Sequence, residues 1–198
     1  MSASAPADSA RRRQLLELAY GYVLDHGLAD LSLRPLAEAV GSSPRVLLYL
    51  FGSKDGLVRA LLTRAREDEL RLLDTVRAEP GAHGLAEAGE LVWRWLAAPE
   101  HRRLLTLWAE GYARSLTDDR GPWADFARRS VDVWLEAFAA AQPPEHRGTP
   151  AGTAERTLLL SVLRGALLDL LATGDRPRAD AAVAAHLAVL RGAGDRSR

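Results

Sequence analysis

The sequence contains no cysteine, and this absence excludes disulfides, thiolate metal sites and a cysteine nucleophile. It also has no excess of either charge, because 26 lysine and arginine residues balance 26 aspartate and glutamate residues. Binding to a polyanion must therefore depend on where the basic side chains lie and not on their total number. No segment approaches the roughly 18 consecutive apolar residues of a membrane span, so we expect no membrane contact.

Motifs of catalysis are also missing. The sequence has no GxSxG, no P-loop and no glycine fingerprint after a strand, and its five histidines are scattered without the spacing of a zinc site. We therefore expect no enzymatic activity, no cofactor and no metal. Residues 1–10 lack the apolar core of a signal peptide and are expected to form a flexible leader. A cysteine-free chain without a signal peptide fits a cytoplasmic protein.

The pattern of apolar residues is helical throughout. Strand alternation is absent, and glycine and proline fall between segments with a helical period. The sequence therefore predicts an all-α fold of about nine helices. Two short helices begin near residues 32 and 43, and the others span about 11–26, 54–78, 85–97, 100–115, 123–140, 153–173 and 177–191. Residues 142–152 are predicted to form a loop, and residues 192–198 a disordered tail.

The segment 31–57, LSLRPLAEAVGSSPRVLLYLFGSKDGL, predicts two short helices joined by a glycine turn, followed at once by a third. Ser32, Ser43 and Ser53 are favoured residues for the N-caps of these helices. Pro44 directly follows one of these caps, and proline is favoured at the first position of a helix. The segment thus contains three closely spaced helix starts.

Within this segment, Ala37, Gly41 and Leu47 have the offsets of a helix-turn-helix. A small residue lets two helices cross closely, a glycine four residues later permits the left-handed turn, and an apolar residue packs the second helix back. These three residues alone fit an ordinary helical hairpin equally well.

Residues 14–57 resemble the DNA-binding domain of the tetracycline-repressor (TetR) family of bacterial regulators. The matching pieces are an amphipathic first helix that ends in DHG, the segment LSLRPLAEAVGSSPRVLLYLF, and GSKDGL. The resemblance implies an N-terminal three-helix DNA-binding domain over residues 11–53 and a helical effector-binding and dimerisation domain over residues 54–191. It also implies a ligand-responsive repressor that binds a palindromic operator as a dimer and releases it on binding a small-molecule effector.

The resemblance also implies which residues contact DNA. Arg45 can pair bidentately with a guanine, whereas Tyr49 and Lys54 match positions that reach phosphates. Arg34 is a further phosphate candidate, and the alternative for each charged residue is an ordinary solvated side chain. The predicted DNA-binding residues are Arg34, Ser43, Pro44, Arg45, Val46, Tyr49 and Lys54.

Two positions depart from the family's pattern. Where this chain has Leu48 the family usually has a tyrosine, and where it has Leu50 the family usually has a histidine. Leucine cannot donate to a phosphate, so Leu48 either packs inward or touches a thymine methyl group. Phosphate anchoring is then weaker, or it shifts to Arg34 and the arginines at 11–13. These leucines support an alternative function, a helical small-molecule binding protein whose degenerate reader no longer binds DNA.

All five tryptophans lie between Trp93 and Trp134, outside the predicted reader. Aromatic residues recur at helical spacing from Trp123 to Phe138, which predicts either a buried core or the wall of an apolar cavity. The predicted effector-binding residues are Trp93, Trp108, Tyr112, Trp134 and Arg164.

The eighth predicted helix is apolar on nearly all sides, and the ninth is rich in alanine. Small residues allow close approach, so we expect these two helices to form a two-fold four-helix interface in a homodimer. Within the eighth helix, Arg164 and Asp169 each need a partner, because an unpaired buried charge is costly. That partner is either another side chain or a ligand.

Overall fold

The computed structural model of the chain describes residues 4–28, 31–77, 84–118 and 121–195. Within these ranges, only the backbone is described at residues 4–7, 68, 72, 73, 75–77 and 193–195. Regular secondary structure in these ranges is entirely helical, which confirms the all-α prediction. None of the described helices is both long and apolar enough to cross a membrane. The helices are α1 (Ser4–His26), α2 (Leu33–Ala39), α3 (Pro44–Phe51), α4 (Lys54–Arg77), α5 (Gly84–Leu96), a 3₁₀ turn (Pro99–His101), α6 (Arg102–Thr117), α7 (Phe126–Ala140), α8 (Pro144–Arg147), α9 (Pro150–Thr173) and α10 (Arg176–Asp195).

Capping side chains determine several of the helix starts. The Ser43 hydroxyl accepts a hydrogen bond from the Val46 backbone N–H at 3.3 Å, and Ser53 accepts one from Gly56 at 2.9 Å. These bonds satisfy N–H groups that have no partner within the helix. The prediction for Ser32 is only half right, because it occupies the N-cap position of α2 but its side chain makes no capping bond.

The terminal helices are longer than predicted. Helix α1 begins at Ser4, so much of the predicted flexible leader 1–10 is helical. Its alanines are strong helix formers, and Pro6 is the third helical residue, where the missing N–H removes no helical bond. Helix α10 continues to Asp195, so residues 192–195 of the predicted tail are helical, and 196–198 lie outside the described residues.

The predicted loop 142–152 is also partly helical, and this accounts for a tenth helix within the described residues. Pro144 begins the single turn of α8, and α9 begins at Pro150 because the Thr149 hydroxyl accepts from the Gly152 N–H at 3.0 Å. Asp125 has a φ of +63°, a left-handed conformation that keeps α7 from beginning before Phe126. The predicted end of the fourth helix at 78–81 lies outside the described residues.

The chain divides into two compact units. The N-terminal unit comprises Met1–Asp68 and Arg103–Ala127, and the C-terminal unit comprises Glu69–Arg102 and Arg128–Arg198. The core of α1, α2 and α3 also includes the first part of α4 and, from α6, Leu104 and Leu107, so it extends beyond residue 53. Fully buried leucines of that core are Leu15, Leu36, Leu47, Leu57 and Leu61.

In the C-terminal unit, α5 and α10 pack closely at Gly89. A Cβ atom added to Gly89 would lie 2.8 Å from Leu187 Cδ2 and 2.9 Å from Leu159 Cδ1. Glycine therefore allows α5 to approach the side chains of α9 and α10. Arg176 reinforces the packing by donating to the Ala97 carbonyl at 2.6 Å.

Candidate nucleic-acid interface

Helices α2 and α3 form the predicted helix-turn-helix. Ala37 and Leu47 are buried in one core cluster, and Gly41 between them has a φ of +62°. A Cβ at Gly41 would meet nothing within 4 Å, so glycine is needed for its backbone conformation and not for space. The turn closes through the Ser42 N–H, which donates to the Ala37 carbonyl at 2.8 Å.

Helix α3 has one buried face and one exposed face. Leu47 and Phe51 are buried, and Leu50 is half-buried against the same core. Leu48 does not pack inward, since 39 % of it is exposed. The exposed face of α3 consists of Arg45, Val46, Leu48 and Tyr49.

Helix α1 supports the C-terminal end of α3 through Arg12. The Arg12 Nε donates to the Leu50 carbonyl at 3.3 Å, and its guanidinium lies 5.0 Å from the centre of the Phe51 ring. A cation at the C-terminus of a helix is favourable, because the helix dipole is negative there. Arg12 therefore positions α3, whereas Arg11 bonds to Gln14 at 2.9 Å.

Three predicted DNA contacts carry positive charge on exposed side chains. Arg34, Arg45 and Lys54 are all exposed, and among the described residues none of them makes a hydrogen bond or ion pair. Lys54 is the first residue of α4, at the positive end of the helix dipole. Such cations are available to an anionic partner without breaking an existing contact.

Three of the other predicted DNA contacts are less available to DNA, because their polar groups are already engaged or missing. The Ser43 hydroxyl caps α3, and Pro44 occupies the first turn without an N–H to donate. The Tyr49 side chain is 73 % exposed, and its hydroxyl donates to Asp8 Oδ2 at 3.4 Å. Tyr49 therefore already has an acidic neighbour, which a phosphate would have to replace.

Two acidic side chains link α1 to α6 within the N-terminal unit, and sequence reasoning missed both. Glu110 Oε2 accepts from the Leu28 backbone N–H at 2.9 Å, just beyond the end of α1. Asp25, in the last turn of α1, forms an ion pair with Arg103. Neither contact has a local pattern, because the partners are about eighty residues apart in the chain.

The predicted effector residues do not share one set of contacts. Trp134 Nε1 donates to Glu69, and Arg164 Nη2 donates to the buried Ser130 hydroxyl at 3.0 Å. The same hydroxyl lies 3.4 Å from Glu69 Oε1, so Trp134 and Arg164 belong to one cluster. Glu69 was missed because the sequence REDEL gives no sign of which acidic residue turns inward.

Trp93 belongs to a different set, since its Nε1 donates to Asp180 Oδ1 at 2.8 Å and Asp180 also pairs with Arg176 at 3.0 Å. Trp108 and Tyr112 lie in the N-terminal unit, with ring centres 5.1 Å apart. Among the described residues, no three histidine, aspartate or glutamate side chains come together to hold a metal ion.

Of the two kinds of partner that the sequence leaves open for Asp169, the structure shows a side chain. Arg178 Nη1 lies 2.6 Å from Asp169 Oδ2, which links α9 to α10. This hydrogen bond raises the pKa of Arg178 above its usual value. Arg164 is satisfied in part by Ser130.

Known proteins resemble the chain in sequence. Residues 15–61 match the model of a family described as bacterial regulatory proteins, tetR family. The HTH-type transcriptional repressor Rv1474c of Mycobacterium tuberculosis is 31% identical over 88% of this chain and 89% of its own length. The HTH-type transcriptional repressor AcnR of Corynebacterium diphtheriae is 31% identical over 84% of each chain.

Solved structures have the same fold. A transcriptional regulator from Rhodococcus sp. Rha1 matches with a TM-score of 0.71 and 20% identity, over 90% of this chain and 95% of its own. The multidrug binding protein EbrR, complexed with proflavin, matches with a TM-score of 0.67 and 23% identity, over 91% of this chain and 99% of its own. Together with the sequence relatives and the helix-turn-helix, these likenesses establish that the chain belongs to the TetR family of bacterial regulatory proteins and is a DNA-binding transcriptional regulator.

Proposed function

We propose that the protein is a ligand-responsive repressor that binds a palindromic operator as a homodimer. The observation that carries this proposal is Arg45, which is exposed on the outer face of α3 and has no ion-pair partner among the described residues, with Lys54 at the start of α4. In a helix-turn-helix, the N-terminal part of the second helix enters the major groove. The proposed DNA contacts are Arg34, Ser43, Pro44, Arg45, Val46, Tyr49 and Lys54.

These residues divide between reading bases and holding phosphates. Arg45 has the planar pair of donors that matches guanine O6 and N7. Arg34, Tyr49 and Lys54 reach phosphates, which fix register but carry no sequence information. Ser43 and Pro44 set the start of α3 and bring its first turn close to the groove.

The exposed faces of α9 and α10 support the proposed dimer. Leu158 and Leu168 on α9 are 54 % and 51 % exposed, and Val189 on α10 is 66 % exposed. On α9, the exposed residues between the two leucines are the small Ser161 and Gly165, spaced three or four apart. Two copies would bury these faces as a four-helix interface and place two α3 helices about 34–36 Å apart on DNA.

A small-molecule effector is proposed to act on the C-terminal unit. The candidates there are Trp93, Trp134 and Arg164, and the solved complex of EbrR with proflavin supports a ligand in a protein of this fold. That Trp108 and Tyr112 contact the effector remains a prediction. The effector shifts DNA affinity only if it binds the DNA-bound and free states unequally.

Repression, rather than activation, is supported by the names of the two sequence relatives. A repressor of this kind acts by occupying DNA, so no catalytic activity is proposed. The site of action is the cytoplasm, where bacterial DNA lies.

The test is binding to labelled duplexes that carry the DNA upstream of the protein's own gene, at several salt concentrations. We expect salt-dependent binding by the wild type, reduced binding by Arg45→Ala, and release on addition of an effector found by thermal-shift screening. If neither upstream DNA nor any sequence from a random pool is bound, the alternative of a binding protein with a degenerate reader replaces this proposal.

A further inference from the structure

The exposed face of α3 is largely apolar, although it is the face proposed to meet DNA. Val46 and Leu48 are 38 % and 39 % exposed, and Tyr49 is 73 % exposed. Single exposed apolar side chains are ordinary, but three within one eight-residue helix form a continuous surface. Such a surface fits a partner that offers apolar atoms.

The two aliphatic side chains share the exposed face of α3 with Arg45. Residues three or four apart on a helix are neighbours, so Arg45 adjoins both Leu48 and Tyr49, and Val46 adjoins Tyr49. Leu48 therefore lies beside the side chain that is proposed to read a guanine, and Val46 lies on the same exposed face, next to Tyr49. The backbone beneath them is held by the buried Leu47 and Phe51, so their positions are set by the core.

We propose that Val46 and Leu48 read thymine methyl groups in the major groove, next to the guanine that Arg45 reads. This inference rests on the proposed DNA-binding function and adds the base chemistry that the surface recognises. The 5-methyl group of thymine is the one apolar group on the major-groove edges of the four bases. An aliphatic side chain gains by covering it, because both groups leave water.

A phosphate is excluded as the partner of these two side chains by their chemistry. Neither valine nor leucine has a donor, and covering a phosphate oxygen with one would remove water without a replacing hydrogen bond. The cations Arg34 and Lys54 are left to hold the phosphates. The reader thus draws part of its affinity from contacts that salt does not screen.

The experiment uses operator duplexes that the full-length wild-type chain selects from a random pool. Each thymine of one half-site, with its symmetric mate, is replaced by uracil, which removes only the methyl group. We expect uracil at one or two thymines beside the contacted guanine to weaken binding about fourfold per methyl, or about fifteenfold for the symmetric pair.

Val46→Ala and Leu48→Ala assign the methyls by a double-mutant cycle. Each variant should bind the thymine duplex more weakly and lose its sensitivity to uracil at its own thymine. Leu18→Ala is the matched control, because Leu18 is a similarly exposed leucine, at 48 %, on α1. This control should keep the wild-type response to uracil. Thermal unfolding of all three variants confirms that the fold is intact.

Leu48→Tyr provides a second measurement. A tyrosine hydroxyl can donate to a phosphate, so this variant should lose its response to uracil at the thymine assigned to Leu48 while it still binds DNA. The inference is overturned if uracil changes wild-type affinity less than about 1.5-fold at every thymine. It is also overturned if the uracil and alanine effects add independently, which would show that Val46 and Leu48 do not contact the methyl groups. A wild type that enriches no duplex overturns the repressor function itself, and this inference with it.

Discussion

Arg45 and Lys54 carry the same charge on neighbouring helices, yet we expect their loss to have different consequences. Arg45 lies on the exposed face of α3, whereas Lys54 begins α4. A planar guanidinium that faces base edges distinguishes sequences, and an ammonium that faces a phosphate does not. At the scale of a single residue, loss of Arg45 should therefore lower sequence specificity, whereas loss of Lys54 should leave it unchanged.

Arg45→Ala should weaken operator binding by about 1–3 kcal/mol and relax the preference for guanine at one position per half-site, because a bidentate pair is lost. Competition binding against duplexes with each of the four bases at that position measures both effects. Arg94→Ala is the control, since Arg94 is an exposed arginine on α5 whose removal changes the net charge equally. Unchanged base preference in Arg45→Ala would show that Arg45 does not read a base.

Lys54→Ala should weaken binding to operator and unrelated DNA by the same factor. It should also lower the slope of log K against log salt by about one for each protomer, because one phosphate contact is lost. Titrations at four salt concentrations with both kinds of DNA give the slope. An unaltered slope would place Lys54 away from the phosphate backbone, and Arg94→Ala again serves as the charge control.

At the scale of the element, local chemistry predicted the helix starts well. Ser43, Pro44 and Ser53 begin α3 and α4 as the sequence indicates. The same signal, a threonine followed by proline at 149–150, marks the start of α9 and could have been recognised within the predicted loop. The left-handed Asp125 could not, because nothing in its side chain requires a positive φ.

The turn between α2 and α3 offers a stability test with a matched pair of glycines. Gly41 has a φ of +62°, whereas Gly21 lies inside α1, and a Cβ at either position would meet nothing within 4 Å. Gly41→Ala should therefore lower the free energy of unfolding by about 1–2 kcal/mol, since a left-handed alanine is strained. Gly21→Ala should raise it by about 0.5–1 kcal/mol, because alanine favours helix.

Chemical denaturation of the wild type and the two variants measures both changes. The substitution is identical, so only the backbone conformation differs between the two sites. If Gly41→Ala were as stable as the wild type, the turn would not depend on a left-handed residue.

At the scale of the whole molecule, the family was predictable and the extent of the N-terminal core was not. Sequence similarity concentrated in residues 14–57 suggested a boundary near residue 53, but the core of the N-terminal unit includes Leu61 of α4 and Leu107 of α6. Long-range partners such as Glu110 and Leu28 are brought together only by the fold. The polar cluster of Glu69, Ser130, Trp134 and Arg164 could not be predicted either, because Glu69 and Arg164 are distant in the chain from Ser130 and Trp134.

The proposed dimer depends on the exposed leucines of α9, and charged residues at these positions should dissociate it. Leu158→Arg combined with Leu168→Arg should convert the dimer to a monomer, because burying two unpaired charges on each α9 is costly. Light scattering after size-exclusion chromatography reports the mass. Leu116→Arg is the control, since Leu116 on α6 is 69 % exposed and lies outside the proposed interface. A wild type that is monomeric at micromolar concentration would contradict the proposal.

Lys54 is the only lysine in the chain, and it is exposed at the first residue of α4. Apart from the N-terminal amine, it is thus the single primary amine available to acylating reagents. One covalent modification there removes a positive charge from the proposed DNA contacts and from no other part of the protein. Protection of this amine by bound DNA would therefore report the fraction of protein on DNA directly, by mass spectrometry of one peptide.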